Sequence, residues 1–286
     1  MTLKIAGLMV LLLAGAAPAH AGAWLQEPGT AYLRFSTGLL ATRERFDAGG
    51  DRVQWDTSGG GFRDARYRDL AAGLYGEFGV ARDWNLILSG GWSRLEAEQP
   101  SAVFTTFGFT DFTLGVKRAL RVRPRFVTSV AAAISVPTGY DTDEYPALGS
   151  GETEFGVAAL AGTSGNRFWG TAELEYRFRG GIFRDQLRGA MGGGFNPRPG
   201  LGLRGEVRGG AVTGSGSTRA TSEGVRFDPT TVDPSHLDLA ATVSVAVGKG
   251  LAVEGEVRST VAGENTLAGT RWSLALATHP VLRWKR

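Results

Sequence analysis

The chain has 286 residues, 43 of them Gly and none Cys, with 42% hydrophobic and 10% aromatic residues and a mean hydropathy of −0.08. Its 31 Lys+Arg against 28 Asp+Glu leave a net charge of +3 and no polybasic run for nucleic acid. These figures exclude a polytopic helical membrane protein, whose spans each need about 18 or more consecutive apolar residues, and they exclude disulfides and thiol chemistry.

Met1 to Ala21 reads as a secretory signal. Lys4 gives the positive start, Ile5 to Ala17 the apolar stretch, and Ala19-His20-Ala21 the small-x-small cleavage pattern. Export as one mature domain, residues 22–286, is the expectation.

From Ala31 onward the residues alternate with a period of two. In Ala172 to Arg179, Ala172, Leu174, Tyr176 and Phe178 share one face, while Glu173, Glu175, Arg177 and Arg179 share the other. Leu203 and Val207 oppose Arg204, Glu206 and Arg208 in the same way, and Val253 and Val257 oppose Glu254, Glu256 and Arg258. About twelve such strands are predicted, at 31–40, 66–81, 84–93, 107–120, 125–136, 152–162, 168–179, 186–195, 201–212, 237–247, 251–261 and 270–280.

The links divide into two kinds. Short polar or Gly/Pro-bearing ones follow the even strands: Ala81-Arg82-Asp83, Val122-Arg123-Pro124, Gly165-Asn166-Arg167, Asn196 to Gly200 and Gly248-Lys249-Gly250. Longer ones follow most odd strands: Ala41 to Phe62, Arg94 to Thr106, Pro137 to Gly151 and Thr213 to His236. Short turns on one rim and long loops on the other are the layout of an outer-membrane barrel.

A soluble β-sandwich shows the same two-faced strands, so the faces themselves must decide. The apolar faces hold almost no ionised residue, as hydrocarbon requires, since Arg at mid-bilayer costs about 2–4 kcal/mol. Trp84, Trp92, Trp169, Trp272, Tyr32 and Phe168 sit at strand ends, where interface girdles form. With 27 Arg and four Lys, the charged faces suit ordered pairing in a confined lumen better than a solvated surface. The fold class predicted is all-β: a transmembrane, antiparallel, up-and-down β-barrel of about 12 strands.

Within that frame, Gly108-Phe109-Thr110-Asp111-Phe112-Thr113-Leu114-Gly115-Val116-Lys117, then Pro137-Thr138-Gly139, then Leu148-Gly149-Ser150-Gly151, form a spaced set. This set resembles the outer-membrane transporter family named for the meta-pathway of phenol degradation. Thr110 stands where a Gly is usual and Arg118 where an aromatic is common. The resemblance covers about 45 residues. It implies a barrel passing small, often aromatic or hydrophobic, organic compounds. On the residues' own terms, Asp111 and Lys117 are placed toward the lumen, Pro137 ends a strand because it cannot donate to the ladder, and Gly139, Gly149 and Gly151 allow a loop to fold inward.

Catalytic and metal patterns are absent. The three His lack the i, i+4 spacing with Glu that zinc needs. Ser235-His236, placed in a long loop, are adjacent and would point apart in an extended chain, which argues against a lipase-like pair. Asp141, Asp143 and Glu144 lack the rest of a Ca²⁺ loop. No cofactor or metal is expected, and the protein is read as a non-enzyme.

The expected function is passive passage of small organic compounds across the bacterial outer membrane. The solute path is assigned to Asp111, Lys117, Glu152, Glu154, Glu173, Glu175, Arg177, Arg179, Arg204, Glu206, Arg208, Glu254, Glu256 and Arg258. The competing expectation is a closed structural or adhesion barrel. Outer-membrane lipid, the solute and, during insertion, the barrel-assembly machinery are the expected partners, with no nucleic acid. The solute, its direction of flow and the oligomeric state are not legible in the sequence.

Overall fold

A computed structural model describes residues 22–54, 65–99, 102–181, 183–213, 234–248 and 250–278. The expected leader, the middles of the first and last long links, Lys249, His279 and the chain end lie outside the described residues. The strands are β1 (Ala31–Phe46), β2 (Arg52–Gln54), β3 (Arg66–Ala81), β4 (Trp84–Gln99), β5 (Ala102–Phe109), β6 (Phe112–Arg123) and β7 (Phe126–Val136). They continue as β8 (Glu154–Ser164), β9 (Phe168–Arg179), β10 (Gln186–Arg198), β11 (Leu201–Val212), β12 (Ser235–Gly248), β13 (Leu251–Glu264) and β14 (Thr266–Thr278).

Twelve of them form one antiparallel wall in the order β1, β3, β4, β6 and then β7 through β14. Pairing of β14 with β1, from Leu33↔Thr278 to Phe46↔Thr266, closes it. Closure leaves no unpaired edge in the twelve-stranded wall, the condition for a sheet to stand in hydrocarbon. β2 and β5 are extra: β2 pairs with the far end of β1, and β5 with the far half of β4.

Alternation sorts the side chains. Leu74 is 57% exposed on the outer face, Met191 68% and Leu274 62%, a band too extensive for a water-facing surface. The polar alternates point inward. Trp84, Trp92, Phe168 and Trp272 lie on the outer face, but Tyr32 and Trp169 do not. Tyr32 shares its face with Arg34 and is buried, and Trp169 packs inside against Gly194. Their parity, not their position at a strand end, decides their direction.

β1, β3 and β4 have 16 residues each. At about 3.3 Å per residue and a tilt of 35–45°, such strands rise about 37–43 Å, well beyond an apolar band of about 25 Å. In the excess the facing of charge inverts. Arg66 and Arg68 point outward and pair with Glu98 and Glu96, and Arg94 bonds Glu96 at 2.8 Å. Tyr67, Leu95 and Ala97 turn inward and are buried. Beyond the membrane water is outside, so the apolar side must find cover within.

One expected strand, 107–120, is in fact two. β4 pairs with β6 up to Ser89↔Thr113 and with β5 from Trp92↔Phe109 onward. Between them the chain steps at Thr110–Asp111, tied by Thr110 N–H to the Gly91 carbonyl at 2.9 Å. Accordingly Arg94–Thr106, expected as a long link, is mostly the projecting β4–β5 hairpin. Its Val103, Thr105 and Phe107 alternate with Phe104 and Thr106 as a strand does.

Candidate functional site

The inward faces enclose a cavity of about 600 Å³. Its walls differ. One, on β3 to β8, carries the small and apolar Ile87, Ala131, Ala133, Ala158 and Leu160 interleaved with Ser89, Thr113 and the Glu77–Lys117 pair; the other carries the Arg and Glu residues of β9, β10, β11 and β13.

Below the cavity, toward the short-turn rim, the segment before β1 runs inside the barrel. Gly22 lines the cavity, and Ala23 is fully buried against Val127, Ala158 and Leu160. Trp24 rests on Gly162, where a Cβ would lie 2.9 Å from the indole, so only glycine leaves the ring its seat. Lys117 Nζ donates to the Gly22 carbonyl at 2.8 Å and to Glu77 Oε2 at 2.6 Å, and Ser129 Oγ donates to the Ala23 carbonyl at 3.0 Å. Glu77 also accepts from Asn85 Nδ2 at 3.0 Å and from the Tyr75 hydroxyl at 2.5 Å. Lys117 and Glu77 are each 1% exposed. A buried pair of this kind persists only because its remaining valences are met by other hydrogen bonds.

Along the polar wall, Arg177 bonds Glu154 at 3.1 Å and Glu175 at 2.9 Å, and Arg179 bonds Glu154 at 2.9 Å. Glu256 receives Arg204 at 3.0 Å and Arg258 at 2.5 Å, while Arg208 pairs with Glu206. Glu254 holds Arg34 across β14 at 2.9 Å. Glu173 faces the cavity and makes no ion pair among the described residues. Glu152 stands apart from this wall, in the link before β8, with its carboxylate against Gly180 and Gly181.

Above the cavity the link between β7 and β8 folds inward. Leu148 is buried among Ala65, Tyr67, Leu95 and Ala97, with Phe104, Tyr140, Tyr145 and Leu267 packed around them. This covers the apolar inner face of the projecting strands. Three sequence-distant stretches meet there. Thr138 Oγ1 donates to the Phe109 carbonyl at 2.9 Å, the Tyr140 hydroxyl donates to Asp111 Oδ1 at 2.5 Å, and Gly151 N–H donates back to that hydroxyl at 3.2 Å. A Cβ on Gly149 would fall 2.2 Å from the Tyr140 oxygen, which is why the loop needs glycine there. Burial, followed by the bond to Asp111, pushes the Tyr140 hydroxyl above the ordinary phenol range.

Asp111 therefore anchors the loop, Lys117 holds the segment before β1, and Glu154 to Arg258 lie along the polar wall. Sequence reading passed over Arg34, Asp69, Glu77, Arg188, His236 and Arg271. Arg34 and Glu77 were findable as single charges in otherwise apolar runs. Asp69 and Arg271 bond each other at 2.5 Å across β1, a contact that only closure creates. His236, expected in a loop, is the second residue of β12 and lines the cavity. Asp141 does no more than cap its own turn, accepting Asp143 N–H at 2.8 Å, and no cluster of potential metal ligands occurs among the described residues.

A closed twelve-stranded wall, apolar outside and lined with ion pairs inside, with short turns at one rim, defines a transmembrane β-barrel of the outer-membrane type. The fold is similar to that of an outer-membrane channel from Pseudomonas putida F1, with a TM-score of 0.69 and 13% identity over 92% of this chain and 99% of that one. The KdgM porin matches at 0.50 with 6% identity, and the NanC porin at 0.50 with 7%, each over 86% of this chain and 98% of its own. No protein-family profile and no curated protein matches this chain in sequence.

Proposed function

We propose that the protein is an outer-membrane channel for passive passage of small organic compounds, aromatic or otherwise largely apolar, through a lumen lined by Glu and Arg. The observation that carries this reading is the two-walled cavity of about 600 Å³ inside a closed barrel, within the size range of small-molecule sites. Its Ala, Ile and Leu wall suits an apolar body, and its Arg–Glu wall sets the field a solute crosses. The resemblance of the Gly108–Lys117, Pro137–Gly139 and Leu148–Gly151 motifs to the phenol meta-pathway transporters supports the same solute class. Removal of residues 1–21 on export and insertion by the barrel-assembly machinery belong to this proposal.

The test is flux. Purified protein in liposomes should raise uptake of small aromatic solutes above protein-free vesicles, and planar bilayers should show step currents. Silence in both assays would leave the second reading, a closed structural barrel. That reading has its own support in the two segments that fold into the barrel, one at Trp24 near the short-turn rim and one at Leu148 near the other.

A further inference from the structure

Arg188 on β10 stands out among the cations that line the cavity. Seven Lys or Arg residues face this space against five Glu, and the other six each have a carboxylate within ion-pair distance. Arg188 makes no ion pair among the described residues. Its Nε and Nη2 both bond the neutral Gln186 Oε1, at 2.9 and 2.6 Å, and its Nη1 makes no hydrogen bond among the described residues. The carboxylate opposite it in register, Glu175, is already held by Arg177. Glu173, a register step further along β9, lies opposite Ala190 and has Lys117 and Arg208 as its main cationic neighbours.

On its other side Arg188 faces Gly210. A Cβ there would lie 2.9 Å from the His236 ring and 3.6 Å from Arg188 Cγ, so the missing side chain leaves a gap between the imidazole and the stem of Arg188. A guanidinium withdrawn from bulk water without a counter-ion is costly, and the counter-ion that fits a planar fork is a carboxylate.

We propose that Arg188, flanked by His236, is an anion subsite that takes the carboxylate of a small organic acid, whose apolar body lies toward Ile87, Ala131 and Ala158. This rests on the channel reading for its purpose but not for its detection.

Calorimetry on the detergent-solubilised full protein should show saturable binding of benzoate and none of benzyl alcohol or benzylamine at the same concentrations. Arg188→Gln, checked for heat-modifiable migration, should weaken benzoate binding by about tenfold or more, as expected for losing a charge-assisted hydrogen bond. In planar bilayers, benzoate should block chloride current in the wild type and not in the variant. Equal affinity for benzoate and benzyl alcohol in the wild type overturns the subsite, whether or not the variant folds, and so does undiminished binding by folded Arg188→Gln. Binding without any current keeps the subsite and removes the channel reading; current without benzoate binding does the reverse.

Discussion

The Tyr140 hydroxyl donates to Asp111 Oδ1 at 2.5 Å, joining residues 29 positions apart. Asp111 stands at the step between β5 and β6, and Tyr140 begins the stretch that carries Leu148 into the barrel, so one hydrogen bond ties the inward loop to the wall. Tyr140→Phe keeps the ring and deletes the bond. Conductance or solute flux should rise while insertion is retained, with a stability loss of about 1–3 kcal/mol from the unsatisfied carboxylate. Unchanged flux would mean that the loop is held by its apolar packing alone.

The same hydroxyl has a pH signature. Its pKa is raised above 10.0, so protonation stabilises the folded form. That stabilisation is complete below the unfolded value near 10 and is lost as pH rises through the higher folded value. The tyrosinate absorbance difference between wild type and Tyr140→Phe should therefore develop only well above pH 10; a transition at pH 10 or below would show that the hydroxyl is neither buried nor bonded.

Lys117 and Glu77 give a prediction about the cost of a lone buried charge. Lys117→Met should destabilise the barrel by about 3–5 kcal/mol in denaturant unfolding, because Glu77 is left buried with only neutral partners. Adding Glu77→Leu should restore most of the loss. A double variant no better than the single would place the lysine's value in its bond to the Gly22 carbonyl instead.

Trp24→Ala removes the ring seated on Gly162 at the short-turn end. Folding should persist, since β1 begins only at Ala31, and liposome flux should increase. If flux is unaltered, the segment before β1 does not restrict the lumen.

The facing of β9 can be checked with two substitutions. Leu174, 54% exposed on the outer band, should tolerate Arg poorly, at about 2–4 kcal/mol in folding into vesicles. Arg177→Leu should still insert, because Glu154 keeps Arg179 as a partner at 2.9 Å. The opposite ranking would exchange inside and outside.

Much of this architecture was legible in the chain alone. Strict alternation along Ala172–Arg179, Leu203–Arg208 and Val253–Arg258 determines strands with one face for lipid and one for charge. Short polar or Gly/Pro-bearing links after every second strand determine which rim turns tightly, and all twelve wall strands follow from those two signals. What escaped reading was set by contacts between strands far apart in sequence. The break at Thr110–Asp111 exists because β4 changes partner at Gly90–Gly91, and period-two alternation is blind to a change of partner. The pairs Arg34–Glu254 and Asp69–Arg271 require the β14–β1 closure of the cylinder, and Lys117–Glu77 the neighbouring of β3, β4 and β6, each pair reaching over one intervening strand. The inward turn of the Pro137–Gly151 stretch arises because Tyr67, Leu95 and Ala97 rise beyond the bilayer with their apolar sides facing in. Local sequence can say that those residues alternate; only the assembled barrel decides that water lies outside them and Leu148 within.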